Sequence, residues 1–129
     1  LEVRAEAKIP EGNGRFYFLV ALPQTRAWVE VKSTTLLLAD GVGAFPDAVS
    51  SRALKHVEAL VKRVQAGDRG VLIFCAQHCG IRAVRAAHEI HAEYAEAIHA
   101  AIAQGVEVLA YGCETDLQQM TINARLPFS

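Results

Sequence analysis

Glu30 and Lys32 stand two apart in Trp28-Val29-Glu30-Val31-Lys32-Ser33. In an extended chain residues i and i+2 share a face. Glu30 and Lys32 therefore point one way, and Val29 and Val31 the other. A carboxylate beside an ammonium is the smallest set that can hold a divalent cation and handle charge at a phosphate. On an ordinary strand the same triplet is a solvated face, and by itself it recurs often. What surrounds it has to decide.

Other residues invite chemistry less firmly. Arg52, Lys55, Lys62 and Arg63 fall within one helical stretch and suit contacts to a phosphate backbone. The plain alternative is a solvated helix face with Glu58 paired to Lys62 at i+4. Cys75, His78 and Cys79 crowd together, but C-x-x-H-C lacks the second ligand pair of a zinc site. His88, His91 and His99 offer imidazoles for a transition metal, and the ordinary reading is surface histidines. Phe16, Tyr17, Phe18 and Trp28 could stack on bases, although strand aromatics usually fill a core. Gln77 could meet a phosphate, or simply water.

These residues need elements to hold them. Arg15 to Leu22 and Ala27 to Leu38 read as strands joined by a turn at Pro23-Gln24-Thr25, hence a hairpin. Asp40-Gly41-Val42-Gly43 reads as the next turn. A helix follows, capped by Ser50 or Ser51, with Leu54, Val57, Val61 and Val64 as its apolar face and Gly67 at its end. Gly70 to Ala76 is apolar throughout, as in a strand buried on both sides. Glu93 to Gln104 reads as a second helix with Tyr94, Ile98 and Ile102 inward, and Val106 to Tyr111 as a further strand. The order predicts an α/β fold, a mixed central sheet flanked by helices.

Composition sets bounds. The chain has 129 residues, is 52% apolar and 21% charged, and carries a net charge of −1. That is ordinary for one globular domain with a real core. Near-neutral charge gives no global attraction to nucleic acid, so any such binding must use a local basic surface. Three cysteines and no secretion signal point to a reducing cytoplasm, with Cys75 a buried inert thiol. No apolar run reaches the roughly 18 residues of a membrane span. The first residue is Leu1 rather than Met, and the chain reads as a fragment.

Several stretches taken together resemble the sugar fermentation stimulation protein A (SfsA) family. They are Val29-Glu30-Val31-Lys32-Ser33, Phe45-Pro46-Asp47-Ala48, Arg52 with Lys55-His56, Glu93-Tyr94-Ala95-Glu96, Gly105 to Tyr111, and Leu126-Pro127. Their order and spacing agree across essentially the whole chain. The resemblance implies a restriction-endonuclease-like fold of the PD-(D/E)xK class. It also implies that residues 1–129 are a single nuclease-like domain that follows an N-terminal barrel in family members. It implies a cytoplasmic protein that binds DNA without strong sequence preference, linked to regulation of sugar use, with no membrane partner.

The resemblance carries Glu30 and Lys32 over as catalytic residues. Glu30, Glu6 and Asp47 become the candidate ligands of a weakly bound Mg²⁺ or Mn²⁺, and Arg52, Lys55, Lys62 and Arg63 the DNA contacts. One position departs. The family pattern of arginine, any residue, aspartate, phenylalanine meets Arg15-Phe16-Tyr17-Phe18. Tyr17 is neutral near pH 7 and too long to mimic a carboxylate, so the expectation is a nuclease-like domain with weakened catalysis. An active nuclease with a rearranged acidic set, or an interaction module without catalysis, are the alternatives.

Overall fold

The computed structural model describes residues 2–5, 18–21, 25–34, 36–76, 80–115 and 120–129. Six strands form the main sheet: β1 (Glu2–Ala5), β2 (Phe18–Ala21), β3 (Arg26–Thr34), β6 (Arg69–Ala76), β8 (Glu107–Thr115) and β9 (Met120–Leu126), in the order β1-β2-β3-β6-β8-β9. A smaller sheet joins β4 (Leu36–Leu37), β5 (Val42–Phe45) and β7 (Ala83–Ala86). The helices are α1 (Ser51–Gln65) and α2 (Ala92–Ala103).

The expected hairpin is present: β2 pairs antiparallel with β3. From there β3, β6 and β8 run parallel, β6 following α1 and β8 following α2 as parallel crossovers do. The mixed α/β class is as predicted. The segment after the first long strand is not. Gly41 does turn, at φ 74°, but Val42 and Gly43 go straight into β5. A pairing with β7, distant in sequence, turns a glycine-rich stretch into a strand.

The core lies on one face of the main sheet. In parallel register Trp28, Glu30, Lys32 and Thr34 of β3 stand beside Gly70, Leu72, Phe74 and Ala76 of β6. Trp28, Leu72, Phe74 and Ala76 belong to one cluster with Val57 and Leu60 of α1 and Tyr94 and Ile98 of α2. The helices therefore cover the very face that carries Glu30.

Helix α1 starts where Ser50 accepts a hydrogen bond from the Ala53 N–H at 3.1 Å, one of the orphan donors of a helix start. It stops at Gly67, whose φ of 97° suits glycine. The expected apolar stripe is rotated: Ala53, Val57 and Leu60 are buried, while Leu54, Val61 and Val64 are only partly so. Gly70 lets the helix lie close, since a Cβ there would stand 3.0 Å from the Leu60 carbonyl oxygen and 3.2 Å from Val64 Cγ2. In α2, Tyr94 and Ile98 are fully buried as expected, but Ile102 is 42% exposed, lining an open cavity with Val108 and Leu126. Among the described residues no helix is long and apolar enough to cross a membrane.

Candidate functional site

Strand β3 has neighbours on both sides, so its side chains stand in the interior of the sheet. Glu30 is 5% exposed. Its Oε1 is 3.8 Å from Lys32 Nζ, so the two share a face as the spacing requires. That face is not the solvated one of an ordinary triplet but the one packed beneath α1.

Helix α1 adds His56, a residue that motif reading placed beside Lys55 without giving it a role. His56 Nδ1 stands 3.1 Å from Lys32 Nζ and 3.2 Å from Glu30 Oε2. A ring nitrogen offers either a proton or a lone pair, not both. Burial, then the charges of Lys32 and Arg52, push His56 down to about 4. The ring is therefore neutral at pH 7, and Nδ1 is free to accept from the Lys32 ammonium. Glu30 Oε2 is left out and hydrogen-bonds no protein atom.

Burial raises the Glu30 carboxyl above its usual range, against the lowering effects of Lys32, Arg52 and the Val31 N–H. Burial likewise lowers Lys32, partly countered by Glu30. An acid pushed up beside a base pushed down is an arrangement suited to proton transfer.

Arg52 lies one turn before His56, hence on the same side of α1. It is exposed, yet its charge acts on Glu30, Lys32 and His56. It marks the open side of the cluster. Beside Lys32 in register, Phe74 packs against Phe45 at 5.2 Å and stacks on Phe128 at 5.3 Å, and Phe45 meets Tyr94 at 5.5 Å. The Tyr94 hydroxyl and the Thr34 hydroxyl are also buried without a protein hydrogen bond.

The remaining candidates divide. Lys55 and Lys62 are exposed and available to a ligand, as is Asp47. Arg63 is not: its side chain is 8% exposed, 3.7 Å from Asp68, and its guanidinium lies 5.5 Å from the Trp28 ring centroid. It holds Trp28 in place rather than presenting charge to a backbone. Trp28 is itself buried and donates Nε1–H to Asp68 at 2.8 Å, so it stacks on no base. His91 stands at the residue before α2 without a side-chain cap and its ring accepts from the Ser50 N–H at 3.3 Å, whereas His88 and His99 are exposed. Cys75 is a buried thiol, as expected. Among the described residues no three His, Cys, Asp or Glu side chains stand together as a metal site. Glu6, Tyr17, Gln77, His78 and Cys79 lie outside the described residues.

Comparison with known proteins places this geometry among relatives. Residues 1–119 match the family described as the Sugar fermentation stimulation protein RE domain. A sugar fermentation stimulation protein homolog of Pseudoalteromonas atlantica is 44% identical over 126 residues, covering 97% of this chain and 53% of that protein. One from Chromohalobacter salexigens is 46% identical over 120 residues, covering 83% of this chain and 47% of that protein. The chain thus spans about half the length of the curated relatives it matches. A solved structure, Pyrococcus furiosus SfsA in complex with Ca²⁺, superposes with a TM-score of 0.82 at 24% identity, over 98% of this chain and 55% of that one. At that identity the likeness speaks to fold.

Proposed function

The chain belongs to the sugar fermentation stimulation protein family, and we propose that it is a nuclease-like domain of the PD-(D/E)xK class, with weakened catalysis, that binds DNA without strong sequence preference. One observation carries this reading. A buried acidic residue and a part-buried lysine, two apart on an interior strand, stand together under a helix instead of facing water. Burying a charge is costly, and a purely structural strand has no need of it. The regulatory link to sugar use that the family's name carries is part of the same proposal.

The residues fit a divalent cation, weakly. Glu30 Oε2 is a buried carboxylate oxygen without a hydrogen-bond donor. Mg²⁺ is commonly held by one or two carboxylates with waters and phosphate oxygens. Glu30 would be the first ligand, with Asp47 and Glu6 as the further carboxylates, and Mg²⁺ or Mn²⁺ bound there would neutralise charge at a phosphate. The Ca²⁺ complex of the Pyrococcus furiosus protein supports the same metal class.

The chain's own side chains do the rest. Arg52 receives the phosphate backbone bidentately, and Lys55 adds a point charge. Lys32 offers a proton or accepts one beside Glu30. Neutral His56 fixes the lysine's direction by taking its hydrogen bond.

Cleavage and binding test this reading separately. The unmodified chain is expected to cut plasmid DNA slowly with Mg²⁺ or Mn²⁺, Tyr17→Asp to cut faster, and Glu30→Ala not to cut. Fast cutting by the unmodified chain would show that Tyr17 costs nothing. For binding, fluorescence anisotropy on unrelated duplexes across salt concentrations compares the chain with an Arg52→Ala, Lys55→Ala variant. The variant should bind every duplex more weakly, and its slope of log affinity on log salt should flatten by about 1.8, two phosphates' worth. An unchanged slope would assign this side of α1 to solvent.

A further inference from the structure

Tyr94 passes for a core residue, and its ring is one. The side chain is fully buried, stacked 6.0 Å from His91 and tilted 5.5 Å from Phe45. Phenylalanine would fill that space equally well. The hydroxyl is what needs explaining: it hydrogen-bonds no protein atom, although buried tyrosines ordinarily bring their O–H to a partner.

The position of a second orphan points to the partner. Glu30 lies near enough for its charge to act on the phenol, and Glu30 Oε2 is buried with no protein hydrogen bond of its own. A phenol donates and a carboxylate oxygen accepts, yet the two do not bond to each other. A group that completes both must accept from one and donate to the other. Water does this. A bare phosphate oxygen has no proton to give Glu30, and a metal ion cannot accept one from Tyr94.

We infer that Tyr94 is a positioning residue of the Glu30 site, its hydroxyl donating to a water that in turn donates to Glu30 Oε2. The donor comes from α2, so the site would be built by three elements: β3, α1 and α2. This deepens the nuclease-like reading, on which its purpose rests: hydrolysis consumes a water, and this one would stand beside Glu30 and Lys32. Buried water of this kind satisfies polar groups that the chain cannot pair.

The test needs no nucleic acid, so it stands apart from the cleavage assay. Tyr94→Phe keeps the ring and deletes only the O–H. In crystals grown near pH 7, the unmodified chain should show one ordered water within hydrogen-bond distance of both Tyr94 Oη and Glu30 Oε2. The variant should lose or displace it. In denaturant unfolding, a double-mutant cycle of Tyr94→Phe with Glu30→Gln should be non-additive by roughly five-fold in the equilibrium constant, as for groups sharing a partner. Additive effects, or a Tyr94 hydroxyl bonded anywhere but to a water on Glu30, would overturn the inference. Should Glu30→Gln fail to fold, the crystals of Tyr94→Phe and the unmodified chain decide alone. Absent cleavage in the presence of that water and that coupling would remove the nuclease-like reading and leave Tyr94's placement intact.

Discussion

Strand β3 takes part in two charge clusters, each with buried members, and they are built oppositely. At its start, Asp68 takes hydrogen bonds from Trp28 Nε1 at 2.8 Å and an Arg26 nitrogen at 3.1 Å, with Arg63 at 3.7 Å. Both guanidiniums also flank the Trp28 ring at 5.5 Å, a cation–π arrangement. One acid is answered by several donors. Further along, Glu30 and Lys32 compete for a single ring nitrogen of His56, and a carboxylate oxygen goes without. An acid answered by several donors fixes a joint, here the turn between α1 and β6, even though Arg63 Nε is itself buried without a hydrogen bond. An unsaturated cluster costs stability, and it persists where something else, a ligand or a water, completes it.

The sharpest way to break this contrast is to remove the acid from each. Asp68→Ala removes the carboxylate that Trp28 Nε1 bonds and that stands beside the buried Arg63 guanidinium. It should destabilise the fold by about 3–5 kcal/mol in urea or guanidinium titrations. Glu30→Gln removes a charge that burial already penalises. It should change stability by no more than about 1 kcal/mol, or raise it. Similar losses at both sites would erase the distinction.

A smaller effect sharpens it through pH. His56 is held at about 4, below its ordinary 6.5, so between those values the unfolded chain binds a proton that the folded chain refuses. Stability therefore rises with pH across this window and falls as pH drops from 6.5 toward 4, by at most about 3 kcal/mol for a shift of this size. Glu30 works in the opposite sense. Its folded carboxyl titrates above 4.5, so its contribution is greatest below 4.5 and is lost as pH rises through the folded value. The clean measurement is thermal melting against pH in Glu30→Gln, with and without His56→Gln. His56→Gln should flatten the acid-side slope. An unaltered slope would mean that His56 protonates in the folded state without penalty.

Much of this scaffold is legible in the amino-acid order. Alternation along Trp28 to Lys32 announces a strand with Glu30 and Lys32 together. The apolar run at Gly70 to Ala76 announces β6, and the Ser50 and Gly67 signals bracket α1. What escapes has a common cause: it depends on contacts between distant parts of the chain. His56 joins the cluster only because the parallel crossover lays α1 over β3, bringing it to a lysine 24 residues earlier. Lys62 and Arg63 are neighbours with the same charge, and only the position of Trp28 makes one exposed and the other buried. Val42 and Gly43 look like a turn until β7 pairs with them. The shared face of the triplet is visible in its spacing; which face the helices cover is not, and that decides whether Glu30 is solvated or buried.

Gly70 then acquires a meaning beyond packing. It is a missing shim. The distance between α1 and the sheet is set there by the absence of one methyl, with Leu60 and Val64 already at 3.0 and 3.2 Å from where it would be. Leu60 is one helical turn from His56, so a helix lifted at Leu60 also lifts the imidazole from Glu30 and Lys32. The calibration of the cluster, including a contact of 3.1 Å, thus resides in a residue with no side chain and no chemistry. Gly70→Ala would detune the site while leaving every charged group in the chain unaltered.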